Sequence, residues 1–494
     1  MSTYFNTADW AVTVIYLVGI VLFGLWCGRG LKNTKDYFLG SKTIPWWGVG
    51  LSIVATETSA LTFIGVPAMA YGNSNLTFLQ IIIGYVIARV ILSVIMVPLY
   101  FKGDIYSPYQ LVENAFGSPA RRTAAGFFLI AATIAAGVRV YVTAIPLRLM
   151  LGFEANQIIY VILLFVLLSL AYTYVGGVKA VIWTDAIQFF LFLAGGLFTL
   201  FYIPTLLEGG IGGAFSQAAE AGKLHWFNGG FSLGMPFNIW MGVIGATVMV
   251  MSTHGADQLI VQRLLTCKSV AEGRKALLFS AVLIFPMFIL FLLTGTMLWV
   301  YYTQFPDMPL QAAKADEIFP IFIMTNVPHV LKGFLIVAIL SAAMSSVSSA
   351  LSALASVSTM DFFKAISKKE RSEAFYLRFS KHSTAAWGIV LIGVAYYTQF
   401  LEQGILSAAL GLNGLTNGAM LGAMLLVLFW RKGSPWPVVC GMIISLCCMI
   451  VIYNFLSKEI AWPWFTLIGC IITLSVATVL QQAINFQNNK AVKK

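Results

Sequence analysis

Residues 340–356 read LSAAMSSVSSALSALAS. The stretch lies inside a long apolar run, 327–360, yet it carries serines at 341, 345, 346, 348, 349, 352 and 356. On a helix, at about 100° per residue, all but Ser346 fall mostly along one stripe, with Ser346 about a quarter-turn away. A line of hydroxyls at membrane depth has two uses. It lets helices approach closely, because serine and alanine are small. It also offers hydroxyl and carbonyl oxygens that replace the water around a hard cation. The stretch alone does not choose between them.

The rest of the chain sets the context. With 59% hydrophobic and 10% charged residues among 494, it is too apolar for a soluble globular protein. Thirteen apolar runs are long enough to span a bilayer, near 8–28, 46–71, 76–101, 121–151, 156–175, 178–207, 236–263, 276–303, 327–361, 380–400, 404–431, 435–456 and 462–484. The net charge of +11 belongs to topology rather than to nucleic acid. If the N-terminus lies outside and the spans alternate, the inward connections hold most of the 30 basic residues, among them Arg29, Lys35, Arg121, Arg122, Arg263, Lys268, Lys368, Lys369 and Arg431. The outward ones hold only Lys223, Lys314, Lys332 and Lys458. This positive-inside bias places the N-terminus outside and the C-terminus in the cytoplasm. The six cysteines show no metal-ligand spacing and read as small apolar fillers. The longest connections, 208–236 and 367–381, are too short for a soluble domain, so residues 1–494 read as a single transmembrane domain.

Two spans are interrupted. In 46–71 the segment ATETSALTFIG (55–65) places Thr56, Glu57, Thr58, Ser59 and Thr62 inside an apolar run, and Pro67 follows. A proline frees carbonyls about one turn upstream, and non-helical backbone at membrane depth is tolerated only where it is buried in protein or lines a cavity. In 236–263, Ser252, Thr253, His254, Gly255, Asp257 and Gln258 crowd together. The spans of 46–207 and of 236–431 form two sets of five, each opening on an interrupted helix. Five is odd, so the sets are oppositely oriented; 8–28 precedes them and 435–484 follows. Paired broken helices opening inverted halves point to a secondary transporter with its site at the midplane. The expected fold is an all-α polytopic membrane protein with an inverted-repeat, five-plus-five architecture and about thirteen transmembrane helices.

Ionisable residues inside spans are candidates for function. Asp185 lies about two turns into the sixth span, facing a cavity or partnering Lys179. Glu57, Arg89 and Arg139 also sit inside spans, and at least one arginine is expected to neutralise an acid. His254 falls in the second break, and Asn413 and Asn417 in the glycine-rich GLNGLTNGAMLG (411–422). There is no P-loop, GxSxG, HExxH or CxxC motif and no selectivity-filter signature, so neither an enzyme, an ATP-driven pump nor a filter-type channel is indicated.

Five segments in order, DYFLGSKTIPWW (36–47), ATETSALTFIG (55–65), YTYVGGVKAVIWTDAIQ (172–188), DQLIVQR (257–263) and SAAMSSVSSALS (341–352), resemble the sodium/solute symporter family. The resemblance runs from the first span to about residue 430. It implies sodium as the coupling ion, bound by backbone oxygens of Ala55, Thr58 and Ala342 and the hydroxyls of Ser345 and Ser346. Some members have a second sodium site, which here would be Asp185 with Ser345, Ser348 and Ser349. At the substrate site, sugar and sialic-acid members carry Glu or Gln where Ile82 stands. The arginine that holds the sialic-acid carboxylate aligns near Ala135, one turn before Arg139. Glu57 replaces a neutral residue, while Ser59 and Thr62 match. The substrate candidates are Glu57, Ser59, Thr62, Arg139, His254 and Asn413, and a carboxylate, a sugar, a sugar acid and a polyol all stay open. The expected function is import of a small organic solute with two sodium ions by alternating access. The alternatives are a proton-coupled carrier using Glu57 or Asp185, and a sodium-dependent sensor or channel. The expected partners are solute, sodium and membrane lipid, in an inner membrane, with no nucleic acid and no required oligomer.

Overall fold

The computed structural model describes residues 4–72, 75–307, 315–367, 370–400, 405–430 and 433–492, and among these there is no strand. Lys314, Lys368, Lys369, Arg431 and Lys432 lie outside the described residues. A helix satisfies its own backbone polar groups, which is what an apolar solvent demands. By length and composition, seven helices can cross a membrane, or eight if the bent pair Trp46–Glu57 and Ala60–Tyr71 is one span. Shorter apolar helices occupy Leu79–Ile95, Met241–Gly255 and Gly414–Phe429.

The elements that shape the interior are α1 (Thr7–Cys27), α2 (Trp46–Glu57), α3 (Ala60–Tyr71), α4 (Leu79–Ile95), α5 (Ser118–Leu151), α6 (Ile158–Tyr202), α7 (Thr247–Gly255), α8 (Gln258–Leu264), α9 (Val270–Gln304) and α10 (Leu331–Val357). The serine helix α10 is the centre. In its most apolar window 89% of residues are buried, against 28% for α1, and α6, α1 and α5 pack around it. Its hydroxyls are largely spent on neighbouring acceptors: Ser341 on the Val337 carbonyl (2.7 Å) and Ser349 on the Ser345 carbonyl (2.6 Å).

A straight helix of 45 residues would measure about 68 Å, more than twice a bilayer core of about 30 Å. α6 escapes this at Gly177, where φ is 53° and ψ is −152°. The chain doubles back there. A Cβ added to Gly24 of α1 would meet Tyr172 at 2.6 Å and Thr184 at 3.3 Å, from the two arms of that turn. Glycine is required at 177 both for its positive φ and because a side chain would strike the Tyr37 carbonyl.

The first break is sharper than a proline kink and does not come from Pro67. α2 ends at Glu57, Thr58 adopts φ −83° and ψ 86°, and the Ser59 hydroxyl caps α3 by accepting from Leu61 N (3.2 Å). The two halves differ in direction by 58°. Pro67 lies two turns later inside α3, where the carbonyl it frees is that of Phe63. The second break follows the same chemistry: α7 ends at Gly255, and Asp257 caps α8 by accepting from Leu259 N (2.8 Å).

Two lysines assigned to outward connections are in fact buried. Lys332 donates to the carbonyls of Tyr4 (2.9 Å) and Met324 (2.6 Å). Lys223 donates to those of Tyr71 (2.9 Å) and Gly72, closing the C-terminal end of α3.

Candidate functional site: a central cavity between the two breaks

The two breaks face one cavity of about 390 Å³, walled also by α5 and α10. Glu57, Ser59 and Thr62 line it from the first break, His254 and Asp257 from the second, Arg139 from α5 and Ser346 from α10. Five of the six substrate candidates therefore meet here. The side chain of Asn413 lies outside the described residues, whereas Asn417, one turn on, does line the cavity.

Behind this wall, α2 and α10 bring neutral oxygens together. Ser59 N donates to the Glu57 carbonyl (3.1 Å) instead of continuing the ladder to Ala55 O. Thr58 is fully buried, and its hydroxyl has no hydrogen-bond partner among the described residues. A buried unpaired hydroxyl costs about 1–3 kcal/mol unless something coordinates it. On α10, which meets α2 through Thr56 Oγ1 and Ser349 Oγ at 3.2 Å, Ser346 donates to the Ala342 carbonyl (3.2 Å). Freed carbonyls and hydroxyls without charge suit a hard monovalent cation. No group of three His, Cys, Asp or Glu side chains is gathered for a metal ion among the described residues.

Next to these oxygens lies Asp185, fully buried, with a partner that the sequence reading placed elsewhere. Arg263 is not in an inward loop; it is buried in α8 and its Nη2 lies 3.2 Å from Asp185 Oδ2. Lys179 is therefore not the partner. Ser52 and Ser345 donate to the carboxylate at 2.6 and 2.7 Å. The guanidinium also donates to Ser52 Oγ (2.8 Å), to Ser349 Oγ and to the Leu259 carbonyl. Ser348 donates to the Ser345 carbonyl (3.1 Å). The residues expected around a second sodium thus converge, with a fixed cation among them. The missed signal was the spacing of Arg263 within DQLIVQR: it follows the Asp257 cap by six residues, inside a helix rather than beyond it.

A second charged group involves Glu57. It pairs with Arg89 of α4 and with His254, whose Nε2 lies 3.0 Å from Glu57 Oε1. Arg89 also donates to Ser280 (3.1 Å) and to the Tyr85 carbonyl (3.0 Å). The expected structural arginine is thus Arg89, and Arg139 is not the partner of Glu57. Arg139 itself makes no hydrogen bond or ion pair among the described residues.

The chain matches the profile of the sodium:solute symporter family over residues 37–453. It belongs to that family. A sodium/sialic acid symporter of Proteus mirabilis is 30% identical over 90% of this symporter and 89% of its own length. A sodium/glucose cotransporter of Vibrio parahaemolyticus is 28% identical over 89% and 83%. A substrate-bound, outward-open structure of a sodium-coupled sialic acid symporter, described as revealing a novel sodium site, superposes with TM-score 0.89 at 27% identity, covering 97% of this chain and 98% of that one. The protein is accordingly an integral membrane symporter coupled to sodium, and it is not an enzyme.

Proposed function

We infer that this symporter imports a small organic acid and holds its carboxylate with Arg139. The carrying observation is a guanidinium that lines the cavity with no hydrogen-bond or ion-pair partner among the described residues, while the nearby Glu57 is already neutralised. An unpaired arginine at membrane depth calls for an anion, and a planar fork fits a carboxylate with two parallel hydrogen bonds. Ser59, Thr62 and His254 supply further polar contacts around the same ligand.

In this reading one sodium sits on the carbonyls of Ala55, Thr58 and Ala342 and the hydroxyls of Ser345 and Ser346. The orphaned Thr58 hydroxyl and the released Ala55 carbonyl support it. A second sodium joins Asp185, Ser345, Ser348 and Ser349 when Arg263 withdraws, giving two ions per solute. The chain crosses the membrane thirteen times as two inverted sets of five with three further spans, N-terminus outside. The two capped breaks, the turn at Gly177 and the distribution of basic residues support this arrangement. Sodium tying α2 to α10 orders the wall that holds the solute, so each ligand raises the other's affinity by the same factor. Rocking of one set against the other then exposes the pair to each face in turn.

The test is sodium-driven uptake into proteoliposomes, with size-matched acids and neutral sugars as solutes. Acids should accumulate and Arg139→Gln should abolish their uptake. A neutral sugar as the tightest ligand would overturn the reading.

A further inference from the structure

Four acidic or basic side chains line the cavity, and two of them, Glu57 and His254, are occupied with each other and with Arg89. The remaining two are Arg139 and Asp257. They carry opposite charges, they share one cavity, and no nitrogen of the first lies within 4.0 Å of an oxygen of the second. Each is held on its own wall. Arg139 projects from α5, where Gly137 leaves no room beside Val394. Asp257 is pinned at the second break, its Oδ1 taken by Leu259 N at 2.8 Å and its own N–H donating to Ser252 O at 3.2 Å. Among the described residues its Oδ2 has no donor. Two opposite charges attract by about 4 kcal/mol at 4 Å and an effective dielectric constant of 20, so a cavity that keeps them apart leaves both to be satisfied from outside.

We propose that Asp257 is a second recognition point, so that the solute is an acid carrying hydrogen-bond donors, ammonium or hydroxyl, at the end away from its carboxylate. The argument rests on the reading that Arg139 takes the carboxylate. An ionised aspartate is acceptor-only, so whatever faces Oδ2 must donate. Alanine, valine and isoleucine side chains at 135, 136, 140 and 260 line the same cavity and accommodate the hydrocarbon between the two ends. A plain monocarboxylate would reach Arg139 but desolvate Asp257 without replacing its water. Sites built to hydrogen-bond a solute group reject the analogue that lacks it.

The experiment is solute binding to the purified full-length protein in sodium, read by thermal shift and by isothermal calorimetry. The probes are an amino acid, a sugar acid and an unsubstituted monocarboxylate of similar size. The wild type should prefer a donor-bearing acid by about 10- to 100-fold, the cost of leaving a buried acceptor without a donor. Asp257→Ala should erase that preference. Asp257→Asn keeps an acceptor and removes the charge, so it should cost a hydroxylated acid less than about 10-fold and an aminated one far more, which tells the two sources apart. Equal wild-type affinity for the plain acid, or a preference unchanged in Asp257→Ala, would overturn the proposal while leaving the role of Arg139 intact. Retained acid binding in Arg139→Gln would instead overturn the carboxylate reading itself. Sodium-dependent stabilisation without solute serves as the folding control in every variant.

Discussion

Two regions of this symporter each bring one arginine and one aspartate to membrane depth, with opposite results. At the junction of α2, α6, α8 and α10, Asp185 and Arg263 are in contact and fully buried, and serines 52, 345 and 349 share their remaining hydrogen bonds. At the cavity, Arg139 and Asp257 face the same space and do not pair. The first arrangement uses charge to fix helices against one another. The second leaves two charges facing the cavity, where the proposed solute would satisfy them. Burial alone therefore does not identify a binding residue in a membrane protein; the state of its partners does.

The largest effect should come from removing one charge at each place. Arg263→Ala strands Asp185 in the interior and should destabilise the protein by about 3–5 kcal/mol, seen as a lost thermal transition in detergent. Arg139→Gln should leave that transition in place while acid uptake disappears. If both variants unfold alike, the contrast between the two regions is lost. Pairing Arg263→Gln with Asp185→Asn should recover much of the stability, because no bare charge remains.

Ion coupling sharpens the comparison next. Asp185→Asn keeps size and one oxygen but removes the charge that a second sodium needs. The Hill coefficient for sodium should fall from above one towards one. The charge moved per solute should fall by one, from about one to none for a monoanionic acid, removing about 2.3 kcal/mol of drive per 100 mV. A wild-type ratio of one sodium per solute, unchanged in the variant, would make Asp185 purely structural. Smaller again is the contrast along the serine stripe. Ser345→Ala removes a donor to Asp185 and an assigned ligand of both ions, whereas Ser352 only approaches Gln262 at 3.4 Å. Sodium affinity should drop markedly in the first and little in the second; a worse Ser352→Ala would reduce the stripe to a packing surface.

Much of the architecture was legible because membrane helices must be long, apolar and self-satisfied. The two breaks were visible as polar clusters inside apolar runs, and the Ser59 and Asp257 caps sit within those clusters. What composition could not show is which arginine meets which acid. Arg263 stands at the edge of an apolar run, where a loop and a buried helix look alike, and only the turn begun by Asp257 brings it to Asp185. Arg89 and Arg139 looked equivalent as lone cations in spans. They differ because α4 lies against His254 and Glu57 while Arg139 opens onto the cavity. Asp257 was noticed as part of a break but not as a cavity group, since a capping role hides the second carboxylate oxygen.

Ser345 gives its hydrogen to Asp185 and Ser346 gives its own to the Ala342 carbonyl. Each hydroxyl oxygen keeps lone pairs on its other side. An arriving sodium can therefore be met by the Ser345 and Ser346 oxygens without either hydroxyl giving up its proton. Loading of the proposed site is then silent in protons. Sodium added to an unbuffered sample of the protein should leave its pH unmoved, and the ion's grip should be the same in mildly acidic and mildly alkaline medium.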